Sequence, residues 1–371
     1  MSDEPAESSD GRHGAVTSAD PAEDVVTGSR FRPDIEGLRA IAVAAVVAFH
    51  IDVRGAAGGY AGVDVFYVIS GFLITSLLLR DVATSSARAL LEFYARRARR
   101  LLPAATAAIV GSLAIALVVA SPLENVEVGR DGRAAALFHA NVRFAADGAA
   151  YHGEAEPPSI FLQFWSLSLE EQFYALWPLA LLGVAVVGRR RRHRVTTAAT
   201  AMLIVVIPVS FVIGVRGAEL TTAHAFFLLQ YRAWELGIGG LLAAAPRLAR
   251  LPVRAAEPLR IAGLTAIASA VVAYGDETSW PGVATLVPVL GTAVVIAAGA
   301  SATTGPSYAL LASPPMRVIG RLSYAIYLWH WPISWAFDDL DDWNVVVYGA
   351  VVLAVSALTF AVIEQPVRRS A

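Results

Sequence analysis

Apolar runs of about 20 residues recur along the chain, and each is long enough to cross a bilayer as a helix. Of the 371 residues, 56% are hydrophobic and 16% are charged, whereas a soluble domain carries about a quarter charged residues. The pattern therefore predicts an all-α integral membrane protein with about ten transmembrane helices. Its predicted spans are residues 36–53, 61–79, 101–120, 164–187, 195–215, 224–245, 259–274, 283–300, 317–337 and 343–363.

The loops between these spans alternate in arginine content, and the chain has no lysine. Because basic residues stay on the cytoplasmic side, we predict that both termini are cytoplasmic, which agrees with an even number of spans. The polar segment at 121–160 and the acidic turn at 338–342 then lie outside as loops. This arrangement predicts a multi-pass protein of the inner or plasma membrane.

The chain divides into a polar tail and an apolar remainder. Residues 1–29 are acidic and rich in Ser, Ala, Gly and Asp, so we predict a disordered tail there and a transmembrane domain at 30–371. The absence of cysteine excludes disulfides and a thiolate nucleophile. No metal site and no nucleic-acid partner are predicted.

Two ionisable residues share one face of the first predicted span. Arg39 and His50 are eleven residues apart, which returns to within about 20° of the same direction and separates them by about 16 Å along the helix axis. Ionisable groups inside a span are costly and typically mark functional sites. The alternative is an arginine that snorkels to the interface, with a histidine that a neighbouring helix satisfies.

The second predicted span begins with a polar pair in an apolar setting, Asp64 and Ser70. Asp64 is a candidate to orient His50, with a plain interfacial charge as the alternative. Ser70 precedes Gly71 but lacks the Gly-x-Ser-x-Gly elbow of a hydrolase nucleophile. This Ser-Gly pair is therefore interpreted as a site of close helix packing.

An arginine cluster precedes the third predicted span, and its members are Arg96, Arg97, Arg99 and Arg100. Pro103 follows, as suits the first turn of a helix. Guanidinium groups match phosphate geometry bidentately, so the cluster is a candidate site for a phosphorylated cytosolic donor. An ordinary belt of cytoplasmic arginines is the alternative.

Three later segments carry further candidates. Glu170 and Tyr174 are four residues apart in the fourth predicted span and share a helix face. Arg232 and Glu235 are three residues apart and are predicted to form a structural ion pair. A third set falls on nearly one helix face and is consistent with the lining of a cavity: Ser323, Tyr327 and His330.

These segments together resemble membrane acyltransferase family 3, the bacterial integral-membrane O-acyltransferases. The resemblance runs from about Phe31 to Arg369. It rests on five motifs in one order: Arg39-x₁₀-His50, Gly62-Val-Asp-Val-Phe-x-Val-Ile-Ser-Gly71, Arg97-x-x-Arg100, Trp165-Ser-Leu-Ser-x-Glu170-x-x-Phe-Tyr174 and Ser323-Tyr-x-x-Tyr-Leu-Trp-His330.

The resemblance implies an acyl-coenzyme A donor, commonly acetyl, on the cytoplasmic side and an acceptor hydroxyl on an outward-facing sugar. Arg39 and His50 match the pair held essential in the family, and Glu170 matches its carboxylate. Arg97 and Arg100 match its cytoplasmic arginine motif. Many relatives end in a periplasmic hydrolase-like domain, and a stand-alone form is expected here. The acceptor, a cell-surface carbohydrate or a macrolide-type molecule, and a separate extracytoplasmic partner stay open.

On this basis His50 is the predicted general base toward the acceptor hydroxyl, with Glu170 or Asp64 fixing its tautomer. A covalent acyl-histidine intermediate is the alternative. The predicted substrate-binding residues are Tyr174, Trp165, Tyr327 and His330. A transporter that exports polysaccharide is the rival class, but the sequence shows neither an inverted repeat nor matched broken spans. A non-catalytic scaffold does not explain ionisable residues in several spans.

Overall fold

A computed structural model describes residues 31–81, 87–148, 158–187, 192–220, 222–247, 249–336 and 344–369. Within these ranges the secondary structure is helical, without strands, which confirms the predicted all-α class. The described residues from Pro33 onward belong to one compact unit. The predicted tail at 1–29, the acidic turn at 338–342 and the arginines at 189–191 lie outside the described ranges.

The first helices are α1 (Pro33–His50), α2 (Gly62–Asp81), α3 (Ala87–Val119), α4 (Pro122–Ala136), α5 (Ala140–Ala146), α6 (Phe164–Val187), α7 (Arg192–Leu220) and α8 (Thr222–Phe227). The remaining helices are α9 (Leu229–Ala244), α10 (Val253–Ala273), α11 (Leu286–Ser301), α12 (Pro306–Leu311), α13 (Pro314–Ala336), α14 (Val345–Thr359) and α15 (Gln365–Arg369). A π-helical turn, Phe360–Glu364, joins α14 to α15.

Six helical stretches of the described chain are long and apolar enough to cross a membrane. They are Gly59–Arg80, Leu90–Val119, Val195–Leu220, Val253–Ala273, Val283–Ser301 and Val345–Arg369. Each coincides with one of the ten predicted spans. The other four predicted spans fall on α1, α6, α9 and α13. These segments are helical but are not among the six long apolar stretches: α9 has only 16 residues, and α1, α6 and α13 contain the candidate site residues.

Helices α1 and α13 lie side by side and run in the same direction. Three contacts share one residue offset of 284: Glu36 with Gly320, Arg39 with Ser323, and His50 with Ser334. A Cβ atom on Gly320 would lie 1.9 Å from the carbonyl oxygen of Glu36. The absence of a side chain at Gly320 therefore permits the close approach that fixes this register.

Helices α2 and α9 pack closely in opposite directions. A Cβ atom on Gly71 would lie 1.8 Å from the carbonyl oxygen of Leu236, and one on Gly239 would lie 1.9 Å from that of Val68. This contact confirms the predicted close packing at Gly71. The neighbouring Ser70 has a further role, because its hydroxyl reaches α6.

Two local predictions were wrong. Helix α3 begins at Ala87, so Pro103 lies inside it and not in its first turn; the Ala, Arg and Leu residues before Pro103 are strong helix formers and extend the helix. The segment at 121–160 contains α4 and α5 where a loop was predicted. Arg143 stabilises this pair of helices by binding Glu127 of α4 at 2.8 Å.

Candidate active site

Arg39 and His50 of α1 both face α13. Arg39 Nε donates a hydrogen bond to Ser323 Oγ at 3.1 Å, and the ring of His50 lies 5.0 Å from that of His330 between centroids. The predicted common face of Arg39 and His50 is therefore the face that packs on α13. The site has two ends, separated by about three helical turns of α1.

At the Arg39 end, Glu170 of α6 is held by two hydroxyl groups. Tyr174 Oη donates to Glu170 Oε1 at 2.5 Å, and Ser70 Oγ of α2 donates to the same oxygen. The first bond confirms that Glu170 and Tyr174 share a helix face. Glu170 also interacts electrostatically with Arg39, so helices α1, α2 and α6 meet at this carboxylate.

Arg97 is the arginine of the predicted cluster that enters this end of the site. Its Nη2 donates to Glu171 Oε1 at 2.8 Å, and its Cζ lies 3.2 Å from the centroid of the Tyr174 ring. Both members of the ion pair are partly buried, at 19% and 22% side-chain exposure. The remaining members of the cluster are exposed on α3: Arg96, Arg99 and Arg100.

The C-terminal helix brings charges to the same end that the sequence analysis did not assign to the site. Glu364 is buried and forms an ion pair with Arg368 at 3.5 Å. Arg39 and Arg100 both interact electrostatically with Glu364. The sequence signal for this site was a carboxylate, Glu364, that directly follows the apolar residues of the last predicted span.

At the other end of the site, a backbone carbonyl fixes the tautomer of His50. His50 Nδ1 lies 2.8 Å from Val46 O. Because a carbonyl oxygen only accepts, Nδ1 carries the hydrogen and the lone pair of the neutral ring is on Nε2. This corrects the prediction that Glu170 or Asp64 fixes the tautomer; both carboxylates are engaged by other partners.

The predicted face of α13 contacts α1 and α6 directly. Tyr327 Oη lies 2.5 Å from Ser166 Oγ of α6, and the Tyr327 ring is 5.2 Å from that of His330. Trp331 also packs on His50, at 4.9 Å between centroids, and its indole nitrogen donates to Ser159 O at 2.8 Å. Aromatic side chains thus pack against both histidines, Trp331 against His50 and Tyr327 against His330.

The family model described as an acyltransferase domain matches residues 32–363, the region that contains this site. The chain belongs to this acyltransferase family. The predicted resemblance to membrane acyltransferase family 3 is confirmed, and the apolar helices make the chain a multi-pass membrane protein.

Curated relatives of the family carry related names. The chain is 30% identical to the peptidoglycan O-acetyltransferase OatA of Listeria monocytogenes, over 92% of this chain and 56% of the relative. It is 31% identical to the putative peptidoglycan O-acetyltransferase YrhL of Bacillus subtilis, over 91% of this chain and 55% of the relative. It is 27% identical to the O-acetyltransferase OatA of Staphylococcus aureus (strain NCTC 8325 / PS 47), over 92% of this chain and 58% of the relative.

The chain therefore spans a little over half the length of these relatives. No solved structure matches it.

Asp64 belongs to a buried ionic triad with Arg232 and Glu235. Arg232 Nη2 donates to Asp64 Oδ1, and Arg232 Nε donates to Glu235 Oε1 at 2.6 Å. All three residues have 0% exposure. The predicted Arg232–Glu235 ion pair is confirmed, and the structure adds Asp64 to it. Trp165 packs over Arg232 at 5.7 Å from the guanidinium carbon, and so lies at this triad.

Arg260 of α10 is fully buried. Its guanidinium donates to the carbonyl oxygens of Ala298 and Ala302, at 3.3 and 2.5 Å, and to Glu257 Oε2 at 2.6 Å. These bonds satisfy carbonyl groups at the C-terminal end of α11. Arg260 thus has a structural role.

The described residues contain no group of three or more His, Asp or Glu side chains that could hold a metal ion.

Proposed function

We propose that this protein is an integral-membrane O-acyltransferase that moves an acetyl group from acyl-coenzyme A to a hydroxyl group of a cell-wall carbohydrate. Peptidoglycan is the first candidate acceptor, because the relative from Listeria monocytogenes is named a peptidoglycan O-acetyltransferase and the one from Bacillus subtilis a putative peptidoglycan O-acetyltransferase. The observation that carries the proposal is the placement of Arg39 and His50 on one face of α1 in an acyltransferase-family chain. Arg39 lies at the end of the site that contains Arg97 and Arg100, and His50 packs against His330.

We further propose ten spans with both termini cytoplasmic, so that residues 30–371 form one acyltransferase domain in the plasma membrane beyond the tail at 1–29. Helices α1, α6, α9 and α13 supply the four spans beyond the apolar six. Their polar residues support this assignment, since ionisable groups within spans typically face the protein interior. Arg232, Glu235, Ser323 and His330 are all fully buried.

The residues at the Arg39 end fit an anionic donor. Arg97 is occupied by Glu171 and the Tyr174 ring, so its proposed role is to position Tyr174 and Glu170 beside Arg39. Arg96, Arg99 and Arg100 are exposed on α3 and are proposed to bind phosphate groups, for which guanidinium forks are suited. Coenzyme A supplies the activated acyl carbon as a thioester; the protein holds its phosphates at these arginines.

The residues at the His50 end fit activation of a hydroxyl group. With Nδ1 bound to Val46 O, Nε2 of His50 is the basic atom, available either as a base toward the acceptor hydroxyl or as a nucleophile toward the acyl carbon. Tyr327 and His330 line the same end and are proposed to contact the acceptor. Asp64 and Trp165, which lie at the buried ionic triad, are proposed to stabilise the packing of α2 against α9.

A donor-cleavage assay tests this function. Purified protein in lipid vesicles is given acetyl-coenzyme A and soluble peptidoglycan fragments, and thiol release and label transfer are followed for wild type and His50→Ala. His224→Ala is the matched control, because His224 is exposed on α8. We expect transfer by wild type and the control and its loss in His50→Ala. Transfer that is equal in all three contradicts the role of His50.

The same assay separates the remaining acceptors and the rival class. Acetyl transfer to a macrolide but not to peptidoglycan fragments would support the acyltransferase reaction and identify a macrolide-type acceptor. A folded wild-type protein that cleaves no acyl-coenzyme A of any chain length, with either acceptor present, would contradict the acyltransferase function and favour transport of polysaccharide.

A further inference from the structure

His330 has an unused basic nitrogen in the interior of the protein. The residue is 0% exposed, and its Nδ1 lies 2.7 Å from Tyr327 O. Since the carbonyl accepts, the hydrogen is on Nδ1 and the lone pair of the neutral ring is on Nε2. That Nε2 has no hydrogen-bond partner among the described residues. A buried polar atom without a partner requires an explanation, and a catalytic role is one such explanation.

His330 and His50 have the same arrangement. In each ring, Nδ1 donates to a carbonyl within its own helix, Val46 O for His50 and Tyr327 O for His330. Each neutral ring therefore presents Nε2 as its basic atom. The ring centroids are 5.0 Å apart, with 60° between the ring planes. The site thus holds two bases within reach of one small acyl group.

One histidine cannot perform both halves of a two-step transfer. When Nε2 of a histidine carries the acyl group, its lone pair is in the new bond, and Nδ1 is held as a donor by the carbonyl. The acylated ring then has no basic atom with which to activate the acceptor hydroxyl. Direct transfer in one step needs only one base, and in that case a second histidine has no chemical task.

We propose that the acyl group passes through His50 and that His330 is the base of the second step. This inference rests on the acyltransferase function proposed above. First, His50 Nε2 attacks the thioester carbonyl; the N–C bond forms, the C–S bond breaks, and coenzyme A leaves as thiolate. Next, His330 Nε2 takes the acceptor proton while the hydroxyl oxygen attacks the acyl carbon. The C–N electron pair returns to His50 Nε2, and the proton on His330 passes to solvent, which balances protonation of the thiolate.

The two steps can be measured separately in His330→Gln. Glutamine keeps polar bulk but has no basic nitrogen. Without acceptor, we expect His330→Gln to release about one equivalent of thiol per protein, and mass spectrometry to find the acetyl group on the peptide that contains His50. With peptidoglycan fragments, we expect acetyl transfer to fall by about 100-fold or more, the range of general-base catalysis.

A matched control separates chemistry from local packing. Tyr348 Oη donates to His330 O at 2.8 Å, so Tyr348→Phe perturbs the same turn of α13 and leaves the imidazole in place. We expect this variant to keep both steps within about threefold of wild type, since a single buried hydrogen bond is modest in net energy. In His330→Ala, added imidazole should restore the second step without changing the first.

Three outcomes would overturn the inference. One is acetyl transfer by His330→Gln at the wild-type rate. Another is an equal loss of thiol release and transfer in folded His330→Gln and His330→Ala, with no recovery in imidazole, which indicates a structural role. The third is wild-type transfer that requires His50 but never yields an acetylated His50 peptide in any variant. By contrast, a wild type that releases no thiol at all contradicts the proposed function itself.

Discussion

Arg39 donates a hydrogen bond to Ser323 at the same residue offset, 284, at which Ser334 donates one to His50. Helices α1 and α13 are therefore parallel and in register across about three turns. This register places Arg39 beside the basic end of the bundle and His50 beside His330. The two ends of the proposed reaction are held by one helix pair.

The register of α1 on α13 depends on Gly320, where a Cβ atom would meet the Glu36 carbonyl at 1.9 Å. We predict that Gly320→Ala destabilises the protein by about 1–3 kcal/mol, because the backbone of α1 must shift. Thermal unfolding of the detergent-purified protein measures this. Gly349→Ala in α14 is the control, since a Cβ atom there meets nothing within 4 Å; an equal effect of both variants would contradict the assigned contact.

Asp64 and Arg232 allow the ionic triad to be separated from catalysis. We predict that Asp64→Asn keeps His50-dependent acetyl transfer, because Glu235 still pairs with Arg232 at 2.6 Å. Arg232→Leu leaves two buried carboxylates without a cation and should cost about 3–5 kcal/mol. Transfer assays and unfolding curves check the two variants. Loss of acetyl transfer in a folded, stable Asp64→Asn protein would contradict this prediction and support a catalytic role for Asp64.

Tyr174 joins Glu170 and Arg97, through a hydrogen bond of 2.5 Å and a ring contact of 3.2 Å. Tyr174→Phe keeps the ring and removes the hydroxyl, so we predict a stability loss of about 1 kcal/mol and a lower kcat with little change in KM for the donor. Steady-state kinetics with acetyl-coenzyme A measure both constants. Tyr94→Phe is the control, because Tyr94 Oη donates to the Ala175 carbonyl, away from Glu170. A rise in KM without a fall in kcat would assign Tyr174 to donor binding.

Arg100 is the exposed cluster member that shares the electrostatic environment of Arg39 and Arg97. We predict that Arg100→Gln raises the KM for acetyl-coenzyme A by roughly 10-fold, the size expected for loss of one charged hydrogen bond, and that added salt reduces the difference. Arg130→Gln is a matched control, because Arg130 is exposed and pairs with Glu127 of α4. An unchanged KM for Arg100→Gln would exclude Arg100 from donor binding.

The sequence predicted the local parts of the site and missed the contacts between distant segments. Helical periodicity placed Arg39 with His50 and Glu170 with Tyr174, because each pair lies on one helix. Arg97 and Glu171 are 74 residues apart, and Asp64 and Arg232 are 168 apart; periodicity within a helix carries no information on which helices pack together. For this reason the sequence did not identify Arg232 as the partner of Asp64.

The sequence predicted those helices that contain an apolar stretch long enough to cross a membrane. Six spans satisfy that criterion, whereas α1, α6, α9 and α13 combine apolar faces with buried polar residues, and their partners decide where those residues point. The hydrogen bond from His50 to the Val46 carbonyl could not be predicted from the sequence, because every residue type has a backbone carbonyl. The pairing of His50 with His330 needed the register of α1 on α13.

The most direct test of the account is the O-acetyl content of peptidoglycan in a bacterial host whose own O-acetyltransferase has been deleted. The host expresses wild-type protein, His50→Gln or the control His224→Ala at equal membrane levels, and alkali-released acetate is measured on purified cell walls. We predict acetate with wild type and the control and background levels with His50→Gln. Equal acetate with wild type and His50→Gln, both well above the empty host, would contradict the central role of His50.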